Sequence, residues 1–300
     1  MRLGTRRSAL ALAQARLVGE LLGGCEIVPI ETGGDRGAGA EDKSRWVDEL
    51  ERALATGDVD LAVHSAKDVP AELGEGLALL GTPARAPAED ALCGAGALSR
   101  LDPGTRVGTS SIRRVAQLRA AREDLDVVGM RGNVDTRLGK LAAEAGGVRA
   151  IVLARAGLTR LGRESEIGAI LDPASFVPAP GQGALALEGR ADDAAARAAV
   201  EAIGDESTLA SLLAERALSR ELGADCHTPL GAHAVQDAGG GLRLRGWVGL
   251  PDGSEWVADE LLGDGADPAA LGREVARRMR AAGAAELVRR AVEMAELAGA

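Results

Sequence analysis

The stretch SAKDVP, from Ser65 to Pro70, places a hydroxyl, an ammonium and a carboxylate within four residues, directly after the apolar run LAVH. A strand ending there would present Ser65, Lys67 and Asp68 where open α/β sheets gather their ligands. A carboxylate beside an ammonium can bind a polar substrate and exchange protons with it. Lysine occurs only at Lys43, Lys67 and Lys140 while arginine is plentiful, so the Lys67–Asp68 step is not generic surface charge. A solvated turn is the alternative reading.

Arginines mark three further corners. GTSSIRR, residues 108–114, joins a strand-like VGT to a helical pattern, with Thr109, Ser110 and Ser111 as candidate N-caps and Arg113 and Arg114 in the first turn. Hydroxyls, free backbone N–H groups and guanidinium forks together cradle anions. Positive charge at a helix N-terminus opposes the macrodipole, so the pair is locally unfavourable unless an anion neutralises it. RGNVDTR repeats the arrangement, with Arg131 before the candidate cap Asn133 and Arg137 a turn into the helix. Arg6, Arg7 and Ser8 follow the first strand and open the first helix. Each corner alone reads as a solvated helix start; three together imply a ligand rich in carboxylates or phosphates. No Walker A or GxGxxG pattern is present, which disfavours a nucleotide.

The thiol in CHTPLGAHA, Cys226, has His227 beside it and His233 further on. The spacing is neither CxxC nor HxxxH, and in extended chain residues six apart lie roughly 20 Å apart, so no metal site is expected. Neighbours on a strand point to opposite faces, which weakens a Cys-His catalytic pair. A buried structural thiol is the plainest reading of these residues alone.

The elements that must carry these groups alternate. RLGT, SALALAQARLVGELLG, CEIVPIE, SRWVDELERALATG and LAVHS read as β-α-β-α-β, and the pattern resumes from about Ala91 with VGT, a helix from Ser111, DVVGM, a helix after Asn133 and RAIVLA. Two α/β domains with mainly parallel sheets are expected. GGDRGAGAEDKS between the second strand and second helix has the composition of a lid. SFVPAPGQGALALEGR reads as a crossover or hinge, and long helices run from about Asp192 to Leu222. After Cys226, LGAHAVQD, GLRLRGWVGL and SEWVADELL are short strands joined by DAGGG and PDG turns, then helical sequence.

The 300-residue chain has a net charge of -10, and its only aromatics are Phe176, Trp46, Trp247 and Trp256, so neither a basic field nor stacking platforms favour nucleic acid. No apolar run approaches 18 residues and MRLGTRRSAL has no signal-peptide pattern, so a cytoplasmic protein without membrane association is expected. Cys25, Cys93 and Cys226 are odd in number and far apart, as reduced thiols are.

Taken in order, GTRRSALALAQA, VHSAKDVP, GTSSIRR, RGNVDTRL, AGLTRLG, PAPGQGA and CHTPLGAHA resemble the porphobilinogen deaminase family, also called hydroxymethylbilane synthase, over nearly the whole chain. The resemblance implies a transferase of tetrapyrrole (porphyrin, haem) biosynthesis. In that family a dipyrromethane cofactor, bound through a cysteine thioether, primes the head-to-tail addition of four porphobilinogen molecules, each losing ammonia, before water releases hydroxymethylbilane. Cys226 occupies the thioether position. By family position Ser65, Lys67, Asp35, Thr109, Ser110, Ser111, Arg113, Arg114 and Arg137 hold the cofactor, while Arg6, Ser8, Arg131 and Arg160 meet substrate or growing chain. Asp68 matches the catalytic carboxylate, and no metal is required. The lid departs from the family's usual Gly- and Lys-rich sequence, with Trp46 at its aromatic position.

The fold this implies is α/β: two periplasmic-binding-protein-like α/β domains around a cleft, plus a small C-terminal α+β domain with an antiparallel sheet. Domain 1 is discontinuous, residues 1–85 with 183–202; domain 2 is 86–182; domain 3, 203–300, carries Cys226. A monomer that passes its product to uroporphyrinogen-III synthase is expected. The rivals are a non-enzymatic solute-binding module, which needs neither Cys226 nor Asp68, and a Cys-dependent hydrolase built on Cys226 and His227.

Overall fold

The computed structural model describes residues 1–31, 47–70, 72–224 and 228–299, with side chains to residue 295. The lid with Asp35 and Trp46, and the Cys226–His227 step, lie outside the described residues. The chain divides into two units, Met1–Ala86 with Gly183–Leu212, and Pro87–Gln182 with Leu213–Ala300.

The first unit contains β1 (Arg2–Arg6), α1 (Ala9–Leu21), β2 (Glu26–Ile30), α2 (Asp48–Ala55), β3 (Leu61–Ser65) and β4 (Leu77–Gly81). The helix α1 forms from an Ala/Leu-rich run capped by Ser8, whose side chain accepts from Ala11 N. It buries Ala11, Gln14, Ala15, Val18 and Gly19, one stripe at helical spacing. The second unit begins with β5 (Asp90–Cys93), β6 (Arg106–Gly108), α3 (Ile112–Ala121), β7 (Asp126–Val128), α4 (Val134–Ala142), β8 (Val148–Ala154), α5 (Arg155–Arg160) and β9 (Ile167–Leu171). The chain then returns to the first unit with β10 (Leu185–Arg190) and α6 (Ala194–Ile203).

Each of these two sheets has five strands, in the orders β2-β1-β3-β10-β4 and β7-β6-β8-β5-β9. They share one design. Three parallel strands are followed by one antiparallel strand, β10 in the first sheet and β5 in the second, which pairs on its far side with an edge strand. The sheets are therefore mixed, and the segment whose composition suggests a hinge contributes an interior strand. Its prolines and two of its three glycines precede Leu185: Gly181 and Gly183 adopt positive φ (72° and 87°), a conformation in which other residues are strained. The strand itself, LALEGR, is almost entirely buried, so it lacks the apolar-polar alternation of a strand with one face in water.

Both units are layered. In the first, Ala15 and Val18 of α1 and Ala196 and Val200 of α6 pack with Leu3, Leu61, Val63, Leu185 and Leu187 on one sheet face. On the other face Leu50, Ala53 and Leu54 of α2 cover Val59 and Ala62. In the second, Leu118 of α3 covers Leu92, Val107 and Val152, while Leu138 of α4 and Leu158 of α5 cover Ala91, Cys93, Ile151 and Leu153. Each fully buried leucine contributes about 1.5–3 kcal/mol relative to an exposed one.

The remaining elements are α7 (Glu206–Leu222), β11 (Leu230–Gln236), β12 (Leu242–Gly249), β13 (Trp256–Gly263), α8 (Pro268–Ala281) and α9 (Ala284–Gly299). The three strands form an antiparallel meander in the order β11-β12-β13. One face packs Leu230, Ala232, Leu244 and Val248 against α7, α8 and α9. On the other, Trp247 packs against Ala116 of α3 and against Val177. The tip of the β12–β13 turn rests on the same helix, where Arg119 donates to Pro251 O at 3.0 Å.

Candidate active site

In the first unit, β1 and β3 are parallel neighbours, so Arg6 and Ser8 lie at the same carboxyl end of the sheet as Ser65, Lys67 and Asp68. Lys67 and Asp68 lie on a 3-10 turn, Ala66–Asp68, closed by Val69 N donating to Ala66 O at 3.3 Å. The strand beneath is anchored on both sides. Gln14 Nε2, on a side chain only 3% exposed, donates to Ser65 Oγ at 2.8 Å, and Ala66 N donates to Ala184 O at 3.1 Å. Ser8 is committed as the cap of α1, its Oγ accepting from Ala11 N at 3.3 Å. Arg6, Ser65, Lys67 and Asp68 are all half-buried.

In the second unit, the carboxyl ends of the parallel strands β7, β6 and β8 gather the other arginine corners. Ser111 takes the N-cap position of α3 without a side-chain cap bond; Thr109, buried, accepts from Ser111 N at 3.2 Å, and Ser110 is exposed. Asn133 caps α4 by accepting from Thr136 N at 2.8 Å. Arg131 is exposed before that helix, Arg137 is half-buried within it, and Arg160 is half-buried in the last turn of α5.

Arg113 and Arg114 are not a solvated helix start. Both are buried and grip a single carboxylate, Asp90, which is fully buried at the start of β5. Arg113 Nη2 lies 2.7 Å from Asp90 Oδ2 and its Nη1 donates to Val177 O at 2.8 Å. Arg114 donates to Asp90 Oδ1 from Nε at 2.9 Å and from Nη2 at 2.6 Å, and to Val152 O at 3.1 Å. Gln182 Nε2 donates to the same Asp90 Oδ1 at 2.9 Å and to Ala88 O at 2.7 Å. The ring of Phe176 lies 5.8 Å from the Arg113 guanidinium carbon, within cation–π range.

The electrostatics reflect that imbalance of charge. Burial pushes the Asp90 carboxyl upward, but Arg113, Arg114 and the Gln182 hydrogen bond outweigh it and hold the group at about 2. One carboxylate against two guanidiniums leaves one buried positive charge. Burial pulls the Arg113 guanidinium down, partly countered by Asp90. Burial, then the charge of Arg114, lowers Arg137, and burial brings Arg160 down to about 10. The buried Nε atoms of Arg113 and Arg137 have no hydrogen-bond partner among the described residues. Cation density of this kind, with donors to spare, suits a ligand carrying several carboxylates.

Comparison with known proteins decides the family. Residues 1–198 match the family model "Porphobilinogen deaminase, dipyromethane cofactor binding domain", and residues 209–281 match "Porphobilinogen deaminase, C-terminal domain". The chain belongs to the porphobilinogen deaminase family. Porphobilinogen deaminase of Deinococcus radiodurans is 45% identical over 301 residues, covering 95% of this chain and 96% of that protein. The Thermus thermophilus protein of the same name is 43% identical, covering 95% and 97%. Among solved structures, a periplasmic substrate-binding protein of an ABC transporter from Coxiella burnetii aligns over 70% of this chain and 94% of its own at 14% identity, with a TM-score of 0.41.

In this porphobilinogen deaminase family member, the acid that organises the arginine pair carries no signal in the sequence. Asp90 precedes Arg113 by 23 residues and sits in the short run DALC, whose residue types suggest no chemistry. Gln182 lies in a Gly- and Pro-rich stretch that reads as a hinge. Glu215 of α7 is equally silent, in a run that reads simply as helix: it is fully buried, and its two oxygens accept from Gly181 N at 2.6 Å and from Ala234 N of β11 at 2.7 Å. No helix among the described residues is long and apolar enough to cross a membrane.

Proposed function

We propose that this chain condenses four porphobilinogen molecules head to tail, with loss of ammonia, into hydroxymethylbilane, as a transferase of tetrapyrrole biosynthesis primed by covalent dipyrromethane. The observation that carries this reading is the buried Arg113–Asp90–Arg114 cluster beside Arg137, an anion receptor with one positive charge in excess. Porphobilinogen bears acetate and propionate groups, and its oligomers multiply them.

Bound dipyrromethane supplies the nucleophilic pyrrole carbon on which the chain grows. Cys226 tethers it by a thioether, although that residue lies outside the described residues, as does Asp35, assigned to the same group. Arg113, Arg114 and Arg137 bind its carboxylates, with Lys67 as a further cation and Ser65, Thr109, Ser110 and Ser111 as hydrogen-bonding groups. Thr109 acts through its bond to Ser111 N, which shapes the turn. Arg6, Arg131 and Arg160 bind the carboxylates of incoming substrate and of the growing chain, and Ser8 orients the first helix beneath Arg6.

Asp68 performs the proton chemistry. Its carboxylate accepts from a pyrrole N–H and stabilises positive charge at the ring nitrogen as ammonia departs. It then takes the proton released when the new carbon–carbon bond forms. Arginines bind carboxylates but stay protonated near neutral pH and cannot exchange that proton.

Residues 1–85 with 183–202, 86–182 and 203–300 act as three domains, the last presenting Cys226. The protein works as a cytoplasmic monomer and passes its unstable linear product to uroporphyrinogen-III synthase.

Intact mass of the purified protein tests the core of this reading. Wild type is expected to exceed its sequence mass by two linked pyrrole units, and Cys226→Ser to match its sequence mass and be inactive. Active wild-type enzyme with an unmodified Cys226 overturns the assignment.

A further inference from the structure

His64 and Glu188 form a buried polar pair for which the proposed reaction has no use. His64 Nε2 lies 2.9 Å from Glu188 Oε2, with the side chains 5% and 1% exposed. The pair spans β3 and β10, where His64 is the register partner of Ala186 and Glu188 that of Ala62. Its sheet face is the one covered by Leu50, Ala53 and Leu54 of α2, an otherwise aliphatic layer. Glu51 of α2 is close enough to interact electrostatically with both.

A polar pair in such a layer is a weak source of stability. Removing two charged or polar partners from water costs about as much as their attraction returns, and an apolar pair of similar volume is commonly as stable or more so. The pair does provide position. His64 immediately precedes Ser65, and four residues later comes Asp68 on its 3-10 turn. On the α1 face the end of β3 is held by Gln14 and Ser65. On the α2 face His64 Nε2 lies in ion-pair range of the Glu188 carboxylate, although neither it nor the two carboxylate oxygens has an aligned hydrogen-bond partner among the described residues. The sheet is irregular at the same point: β4 carries one extra residue opposite the Leu187–Glu188 step, a bulge of the kind that re-aims side chains near reactive groups.

We infer that His64 and Glu188 are positioning residues for Asp68, fixing the end of β3 so that the catalytic turn keeps one setting. This rests on the proton-transfer role of Asp68. Neither side chain touches the reacting atoms; they act through the backbone of Ser65 and Ala66.

The test is steady-state turnover of porphobilinogen by cofactor-loaded enzyme, with kcat and KM separated and loading checked by mass. Glu188→Asp keeps the charge but withdraws the carboxylate by one methylene, and its kcat is expected to fall about tenfold with KM within about threefold of wild type. Glu188→Gln keeps the reach and a polar oxygen facing the imidazole, and is expected to recover most of that loss. Wild-type kcat in the Asp variant, equal losses in both, or a change confined to KM overturns the inference. Should Glu188→Asp fail to fold, the double variant His64→Leu with Glu188→Leu replaces it, expected to be folded, loaded and about tenfold slower. Wild-type kcat in that variant, or its failure to fold or load, overturns the inference, because it makes the pair structural. Asp68→Ala in the same assay separates the two readings. If it turns over normally, the assignment of Asp68 fails; if it is inactive while the pair variants match wild type, only the positioning role fails.

Discussion

Asp90 Oδ1 and Arg114 Nη2 lie 2.6 Å apart in the second unit, with neither side chain more than 6% exposed. The same carboxylate also holds Arg113, so one acid locks two guanidiniums whose charge exceeds its own. This geometry reconciles two demands on the first turn of α3. On the proposed reading, the arginines must be rigid to bind a ligand in one orientation, and they must keep net positive charge to bind an anion at all.

Replacing Asp90 is therefore expected to damage the fold before the chemistry. Asp90→Ala leaves two buried guanidiniums facing each other, a loss of about 3–5 kcal/mol. Thermal unfolding should show a midpoint lowered by roughly 10 °C. A shift of less than about 2 °C contradicts the ion cluster as the organiser of the turn.

The same residue makes an acid-labile element. The Asp90 pKa is depressed in the folded state, to about 2 from an ordinary 3.8. Its stabilisation is thus fully present above about pH 4 and is lost as pH falls through 4 toward 2, on the order of 2 kcal/mol in all. Stability measured across that window should decline more steeply for wild type than for Asp90→Asn. Parallel declines would remove Asp90 from the acid response.

Arg137 should behave in the opposite way to Asp90. Burial and Arg114 already disfavour its charge, and its buried Nε has no internal hydrogen bond among the described residues. Arg137→Leu is expected to keep or slightly raise the thermal midpoint while abolishing cofactor loading, read by intact mass. A fully loaded, active Arg137→Leu enzyme would show that the cofactor does not depend on this guanidinium.

For Asp68 the expectation is purely catalytic. Asp68→Ala should fold with an unchanged circular dichroism spectrum and lose about 10²–10⁴-fold in turnover, the usual scale for a positioned acid–base group. Porphobilinogen consumption within about tenfold of wild type would refute the role.

Much of the architecture was legible because the parallel strands and their helices obey simple periodicities. LAVHS, DVVGM and RAIVLA are apolar runs bounded by turn signals, and all three prove to contain strands. The meander after residue 228 was readable for a similar reason, since DAGGG and PDG mark its turns. The reversed strands were not. Asp90–Cys93 and Leu185–Arg190 are short, buried and carry a polar or charged residue that sequence patterns assign to loops.

The sequence by itself determined which groups are available: the Ser65–Lys67–Asp68 corner, the arginine corners and the ordered motifs that identify the family. Residue type and local spacing suffice for that, because strand ends and helix caps are local features. Only the tertiary structure decided what those groups are paired with. Asp90 meets Arg114 across 24 residues, Gln182 meets Asp90 across 92, and His64 meets Glu188 through strand pairing that no local pattern encodes. A charge's environment, and hence whether an arginine is already neutralised or still seeks an anion, is set by burial and by partners brought from afar.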